Sequence, residues 1–231
     1  MEKTLVAAMF DGIAKQYDFL NHFLSLGIDK LWRRKLVKLL KKQSPKSVLD
    51  VATGTGDLAI AIQKRVNPEK IIGIDISEQM LQYGRKKIER KKLQHSIDLQ
   101  YGDSKNIKFD SNTFDAITVA FGVRNFENLE KGLSEMYRVL KTRGMIYILE
   151  FSMPKHFPFK QLYRLYFFRI LPFIGRLFSG DAHAYRYLSE SVEQFPRDEL
   201  MLNKLKDAGF YDTKYVILTF GIAAIYTGKR A

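Results

Sequence analysis

A chain of 231 residues, 46% hydrophobic and 27% charged with no low-complexity tract, is long enough to bury one sizeable core as a single domain with insertions. It has no cysteine, which excludes disulfides, thiolate metal sites and a cysteine nucleophile, and its four histidines are scattered without metal-ligand spacing, so no metal site is expected. The formal net charge of +13 points to an anionic partner, nucleic acid or anionic lipid, unless the whole proteome is basic.

The N-terminal residues 1–18 lack a long apolar run and are soon interrupted by charge, which does not read as a signal peptide. No stretch of about 18 uncharged apolar residues occurs, so no membrane-spanning helix is expected and a cytoplasmic site is the default. Residues 5–18 carry Leu5, Ala8, Met9 and Ile13 at helical spacing. Residues 29–42 form a basic amphipathic helix, with Leu31, Trp32, Leu36, Leu39 and Leu40 set against Lys and Arg. After a connector at Pro45, strands are predicted at 47–52, 71–75, 97–101, 114–120 and 144–151, and helices at 57–66, 77–92, 128–140 and 197–208, with Ser77 as an N-cap. This alternation implies an α/β fold, a mostly parallel sheet with helices on both faces. Two last strands, 213–219 and 222–228, meet near Gly221 in a hairpin, which places an antiparallel strand at the end of the sheet.

The run VLDVATGTGD at 48–57 is the most informative segment. A buried apolar strand enters a turn with Gly54 and Gly56, where the absence of a Cβ lets a ligand approach the backbone. The following strand ends in Asp75, about 20 residues past the turn, where a carboxylate can accept both hydroxyls of a ribose. Leu58 and Ala59 stand where a third glycine would be sought, so the pyrophosphate of NAD lacks its usual cradle. A single G-x-G preceded by Asp50 is instead the pattern of S-adenosylmethionine (SAM) methyltransferases. The bland alternative is a tight turn in a nucleotide-free domain.

Residues 151–195 break the rhythm. They open with an aromatic and basic stretch, FPFKQLYRLYFFRILPFIGRLF, too long for an ordinary connection, and read as a lid or a substrate domain. The chain therefore divides into an N-terminal helical cap (1–45), a SAM-binding core (46–151), a substrate or lid insert (152–195) and a C-terminal helix with a strand hairpin (196–231).

Three blocks, FDGIAKQYDFLNHFLSLGIDKLWRR, FGVRNFENLEKGLSEMYRVLKTRGMIYILEFSMP and DAHAYRYLSESVEQFP, closely resemble the ubiquinone/menaquinone biosynthesis C-methyltransferases over nearly the whole chain. The resemblance implies a class I, Rossmann-like SAM methyltransferase with a seven-stranded sheet, acting on a ring carbon of a polyprenylated quinol, demethylmenaquinol foremost. It assigns Thr55 to the glycine turn, Asp75 to the ribose, and Asp103 and Ser104 to the adenine side. Ala120 stands where some relatives place a serine, and Arg143 in KTRG stands where relatives usually carry KPGG. Arg124 and Asn125 of FGVRN, with Tyr17 and Asp18 of KQYDFLN, fall at family site positions.

A ring carbon is a weak nucleophile unless an adjacent phenol is ionised. Arg124 is therefore expected to stabilise a phenolate electrostatically, Asn125 to orient a water beside it, and Asp103 to relay a proton; the alternative for Arg124 is a surface ion pair with Glu127. A lipid-soluble quinol substrate makes peripheral contact with the inner face of an anionic membrane an expectation for the aromatic insert. For the Trp32 helix, membrane contact and simple coverage of the sheet weigh evenly. Two other classes remain at this point: a nucleic-acid or other small-molecule methyltransferase, disfavoured because no RNA-binding domain or amino-methylating motif is visible, and a non-catalytic SAM-binding subunit. The oligomeric state, including a homo-oligomer, is left open.

Overall fold

The computed structural model describes residues 6–12, 14, 25, 27–170 and 182–231. After a helical segment over residues 6–12 come α1 (Ile28–Lys41), β1 (Ser47–Val51), α2 (Asp57–Arg65), β2 (Lys70–Asp75), α3 (Glu78–Arg90), β3 (Ile97–Tyr101), β4 (Phe114–Ala120), α4 (Leu129–Val139) and β5 (Leu140–Phe151). Then follow α5 (Phe159–Leu165), a π-helical turn (Tyr166–Ile170), α6 (Ala182–Gln194), α7 (Glu199–Asp207), β6 (Tyr211–Leu218) and β7 (Ala223–Lys229). The seven strands form one sheet in the order β3-β2-β1-β4-β5-β7-β6. Strand β7 is antiparallel to both β5 and β6. The C-terminal strand β7 is thus the antiparallel one the hairpin implied, seated between β5 and the edge strand β6.

Strands buried on both faces read as continuous apolar runs. Val48, Leu49 and Val51 of β1 are all buried, as are Ile146, Ile148 and Leu149 of β5. Two cores result. On one face Leu36, Val37 and Leu40 of α1 pack with Leu58 and Ile62 of α2 and Leu81 and Ile88 of α3. On the other, Leu133 and Met136 of α4 pack with Met201 and Leu205 of α7.

Trp32 decides between the two readings of its helix. It is 5% exposed, packs against Phe121 and Phe151, and its indole N–H donates to the Thr219 hydroxyl at 2.8 Å. Helix α1 covers the sheet, and its tryptophan is not a lipid anchor. Strand β5 begins at Leu140, four residues before the predicted start, after a register shift between Phe114 and Ala116. Within that extension Arg143 is held at φ 65°, a left-handed conformation suited to glycine.

The insert splits by side. Tyr163 and Phe167 are buried with Val192 against Phe151 and Met153. Phe157, Leu162 and Leu165 are more than half exposed, and Phe159 stacks on exposed Phe220 with ring centroids 4.0 Å apart. Phe173 and Arg176 lie outside the described residues. No described helix is long and apolar enough to cross a membrane.

Candidate active site

Strand order reverses beside β1, which pairs with β2 on one side and β4 on the other. In open parallel sheets a ligand crevice forms beyond the carboxyl ends of the strands at such a point. A cleft opens there. Its floor is the turn after β1, with Ala52 and Gly54. One wall carries Asp75, Ile76 and Met80, another Gly102, Asp103 and Ser104, and a third Phe121, Asn125 and Phe126. Val6 and Phe10 of the N-terminal helical segment close it.

The glycine turn is built as its sequence demands. Gly54 (φ 54°) and Gly56 (φ 78°) are left-handed, and Gly56 starts α2. A Cβ at Gly54 would meet no protein atom within 4 Å, so the space beside it is the cleft itself. Gly56 lines neither cleft; its Cα faces Leu99, 3.4 Å from where a Cβ would sit, and its part is to shape the turn. Asp75 ties the turn to the end of β2: one carboxylate oxygen accepts the Gly54 N–H at 2.8 Å and the other the Ser77 N–H at 2.9 Å. Burial pushes its carboxyl above the usual range, opposed by these backbone N–H groups. A carboxylate has about four acceptor positions, so capacity remains for a ribose diol. Asp103 accepts the Lys105 N–H at 3.0 Å and lines the cleft with Ser104.

A second, smaller cleft adjoins the first, sharing Ala52, Gly54 and Ala120, and is lined by Asp50, Thr53, Thr55, Asp57 and Arg33. Asp50 is 1% exposed and accepts the hydroxyls of Thr53 and Thr118, each at 2.7 Å. Burial raises its pKa to about 6 against those hydrogen bonds. Thr55 accepts from Lys87 Nζ at 2.9 Å, and the same ammonium pairs with Asp57 at 2.7 Å.

Arg124 is not a surface residue paired to Glu127, which instead pairs with Lys105. Its Nη1 donates to Glu150 Oε1 at 2.7 Å and to the Phe121 carbonyl at 2.5 Å, with the guanidinium over the Phe151 ring. The two charged side chains are 5% and 0% exposed, and the Arg124 Nε is buried without a partner. Arg124 does not itself line either cleft; the adjacent Asn125 does, and its Oδ1 accepts the Tyr187 hydroxyl at 3.1 Å. The Tyr163 hydroxyl is also buried without a partner. Its pKa is raised by burial, and Arg124 is the largest opposing influence.

The cleft residues thus suit an adenosyl ligand: a glycine without a Cβ at the floor, the half-buried Asp75 carboxylate at the end of β2, and the Asp103–Ser104 pair on the next wall. Asp50, Gly54, Thr55, Asp75, Asp103, Ser104 and Asn125 come together here, while Arg124 and Gly56 stand behind the surface. Tyr17 and Asp18 lie outside the described residues. Sequence reasoning missed Arg33, Glu150 and Tyr187; the one signal for Glu150 was an acid within an apolar strand, MIYILEF.

A family model described as the ubiE/COQ5 methyltransferase family matches residues 1–230. A demethylmenaquinone methyltransferase of Bacteroides fragilis is 49% identical over 225 residues, covering 97% of this chain and 92% of the relative. The corresponding enzyme of Thermus thermophilus is 46% identical, covering 96% and 100%. A ubiquinone/menaquinone biosynthesis C-methyltransferase of Geotalea daltonii is 45% identical, covering 97% and 96%. Among solved structures, a SAM-dependent methyltransferase of Thermotoga maritima shares the fold at a TM-score of 0.69 and 16% identity, covering 98% of this chain and all of that one.

Proposed function

The chain belongs to the ubiE/COQ5 methyltransferase family and is a SAM-dependent methyltransferase, and from that premise we propose that it methylates a ring carbon of a polyprenylated quinol, converting demethylmenaquinol to menaquinol. The observation that carries the site assignment is the cleft at the strand-order reversal, with Asp75, Asp103 and Asn125 on its walls.

When bound, SAM supplies an electrophilic methyl group on a sulfonium. The residues of the chain position the ring and manage its proton. Asn125, held by Tyr187, faces the cleft and orients a water or the ring oxygen. Arg124 lies behind it. Its Nη1 side is committed to Glu150 and Phe121, and from behind the cleft surface its positive charge favours a developing phenolate at Asn125 without touching it. Once the ring hydroxyl has passed its proton to the water held at Asn125, the ionised oxygen would push an electron pair onto the ortho carbon, and the new carbon–methyl bond would form as the methyl–sulfur bond breaks and leaves its pair on a neutral thioether sulfur. The ring hydrogen then leaves as a proton to water in the cleft.

The outer face of the insert is proposed to rest on the membrane that holds the substrate. Phe157, Phe159, Leu162, Leu165 and Phe220 are exposed apolar side chains, interleaved with exposed Lys160 and Arg169.

Incubation with SAM and a short-chain demethylmenaquinol should yield the methylated ring, seen by mass spectrometry. SAM binding without transfer to either a naphthoquinol or a benzoquinol would favour a non-catalytic subunit. Arg124→Lys should lower turnover with SAM affinity near wild type. If SAM binding collapses and turnover recovers at saturation, Arg124 serves the cofactor pocket instead.

A further inference from the structure

Tyr187 enters the site from α6, on the insert, 62 positions along the chain from the residue it meets. Helix α6 is seated by Val192, packed with Tyr163 and Phe167, and by Ser189, whose hydroxyl donates to the Phe167 carbonyl at 3.1 Å. Asn125 stands on the short turn after β4 and lines the cleft. An amide can present either of two ends to a bound ring: the carbonyl Oδ1, an acceptor, or Nδ2, with two N–H donors. The contact with Tyr187 decides between them. The Tyr187 hydroxyl donates to Oδ1 at 3.1 Å, and among the described residues its proton has no other acceptor. The reverse amide would strand that proton. Nδ2 has no hydrogen-bond partner among the described residues and is not enclosed, so its donors are left for the cleft. Burial holds the Tyr187 hydroxyl above the usual tyrosine range against the pull of Arg124, which keeps it a donor.

We propose that Tyr187 is a positioning residue that fixes the amide of Asn125 with Nδ2 toward the ring oxygen of the acceptor. The inference rests on the ring methylation proposed above and adds what sets the charge of the ring. An N–H donor bonds an ionised oxygen more strongly than a hydroxyl, so it lowers the pKa of the bound ring hydroxyl. A carbonyl oxygen in the same place would accept the hydroxyl proton and hold the ring neutral. The oriented amide is thus a small oxyanion hole, and α6 takes part in the chemistry without touching the ring. The other titratable or charged groups around this point are Asp75, Asp103 and Glu127 on the cleft walls, Arg124 and Glu150 behind Tyr187, and Tyr166 and Arg169 on the π-helical turn against α6. Tyr187→Phe leaves all of them in place, so the difference between wild type and variant isolates the ring oxygen.

A pH–rate profile of the full chain with SAM and a short-chain demethylmenaquinol tests this. In Tyr187→Phe, kcat should fall about 10-fold at neutral pH with SAM affinity unchanged, and the deficit should shrink at high pH, where the ring ionises unaided. A deficit equal at every pH would overturn the proposal, since the variant would then merely loosen the insert. Undiminished kcat would overturn it too. Asn125→Asp puts a carboxylate oxygen, an acceptor, where Nδ2 stood, and should be slower than Asn125→Ala. If it is faster, the position wants a proton acceptor and the proposal fails. Bound 1-naphthol with S-adenosylhomocysteine gives a readout without methyl transfer, because its anion absorbs at longer wavelength than its neutral form. Wild type should lower the naphthol pKa relative to free solution, and Tyr187→Phe should lower it less. Should Tyr187→Phe fail to fold, the two Asn125 variants and the wild-type naphthol shift still decide. Wild type that shifts the naphthol but methylates no quinol would sink the ring-methylation reading and keep this one. Wild type that methylates the quinol at the same rate as Tyr187→Phe would do the reverse, and wild type that neither methylates nor shifts the naphthol would remove both.

Discussion

Arg124 and Glu150 form a fully enclosed ion pair, with Nη1 and Oε1 2.7 Å apart and neither side chain more than 5% exposed. The Glu150 carboxylate also faces the backbone N–H groups of Arg124 (3.3 Å) and Phe151 (2.9 Å), so it fastens the turn after β4 to the end of β5. Removing one partner leaves the other charge buried alone. Glu150→Ala should therefore destabilise the protein by about 3–5 kcal/mol in urea unfolding, and the double variant Arg124→Met, Glu150→Leu should recover much of that. A loss under 1 kcal/mol for Glu150→Ala would show that water reaches the site.

Asp75 joins two jobs in one carboxylate. Asp75→Asn can accept on only one oxygen, so either Gly54 or Ser77 loses its acceptor. SAM affinity should fall about 100-fold, at roughly 1.5–3 kcal/mol for each bond to a charged group. The ligand-free protein should also melt earlier. Unchanged SAM affinity in the folded variant would defeat the ribose assignment.

Asp50 predicts a pH dependence. Its pKa is about 6 in the folded chain against 3.8 as the reference, raised first by burial. Between those values the folded state keeps a proton that the unfolded state has lost. The contribution is therefore fully present below pH 3.8 and is lost as pH rises through 6. Other carboxyls act in the opposite sense: those of Asp115 and Glu135 are lowered by Lys141 and Arg138. The clean readout is the stability of wild type minus that of Asp50→Asn. It should fall by on the order of 3 kcal/mol between pH 4 and pH 7 in the absence of SAM. A flat difference would mean that Asp50 titrates normally.

Arg143 is exposed, yet its backbone is left-handed at φ 65°. A residue with a Cβ pays about 1 kcal/mol there, which glycine avoids. Arg143→Gly should raise the melting temperature by a degree or more, as followed by calorimetry. A lower melting temperature would show that the arginine side chain contributes more than its backbone costs.

The apolar outer face of α5 can be changed without touching a core. Leu162→Gln with Leu165→Gln should leave the melting temperature unaltered and reduce co-sedimentation with anionic liposomes. Part of the wild-type binding should survive high salt, because apolar insertion is not screened. Wild type that stays in the supernatant with every lipid mixture would leave this face without its proposed role.

Much of the fold is local and was legible. The runs of β1 and β5, the amphipathic spacing of α1 and the Ser77 cap, whose hydroxyl accepts the Met80 N–H at 3.2 Å, follow from period and capping chemistry within a few residues. The glycine turn and Asp75 were legible for the same reason: a left-handed turn demands glycine, and a strand end in a parallel sheet points at the ligand edge. What the tertiary structure alone decided are contacts between residues far apart in the chain. Trp32 meets Thr219 across 187 positions, which turned a candidate membrane anchor into core. Tyr187 meets Asn125 across 62, and Arg124 turns inward to Glu150 rather than outward to Glu127. Arg33 read as one more cation on a basic helix until α1 was docked beside Asp50. Periodicity fixes which face of a helix is buried, but the partner a buried charge meets depends on how separate elements pack, and no local pattern carries that information.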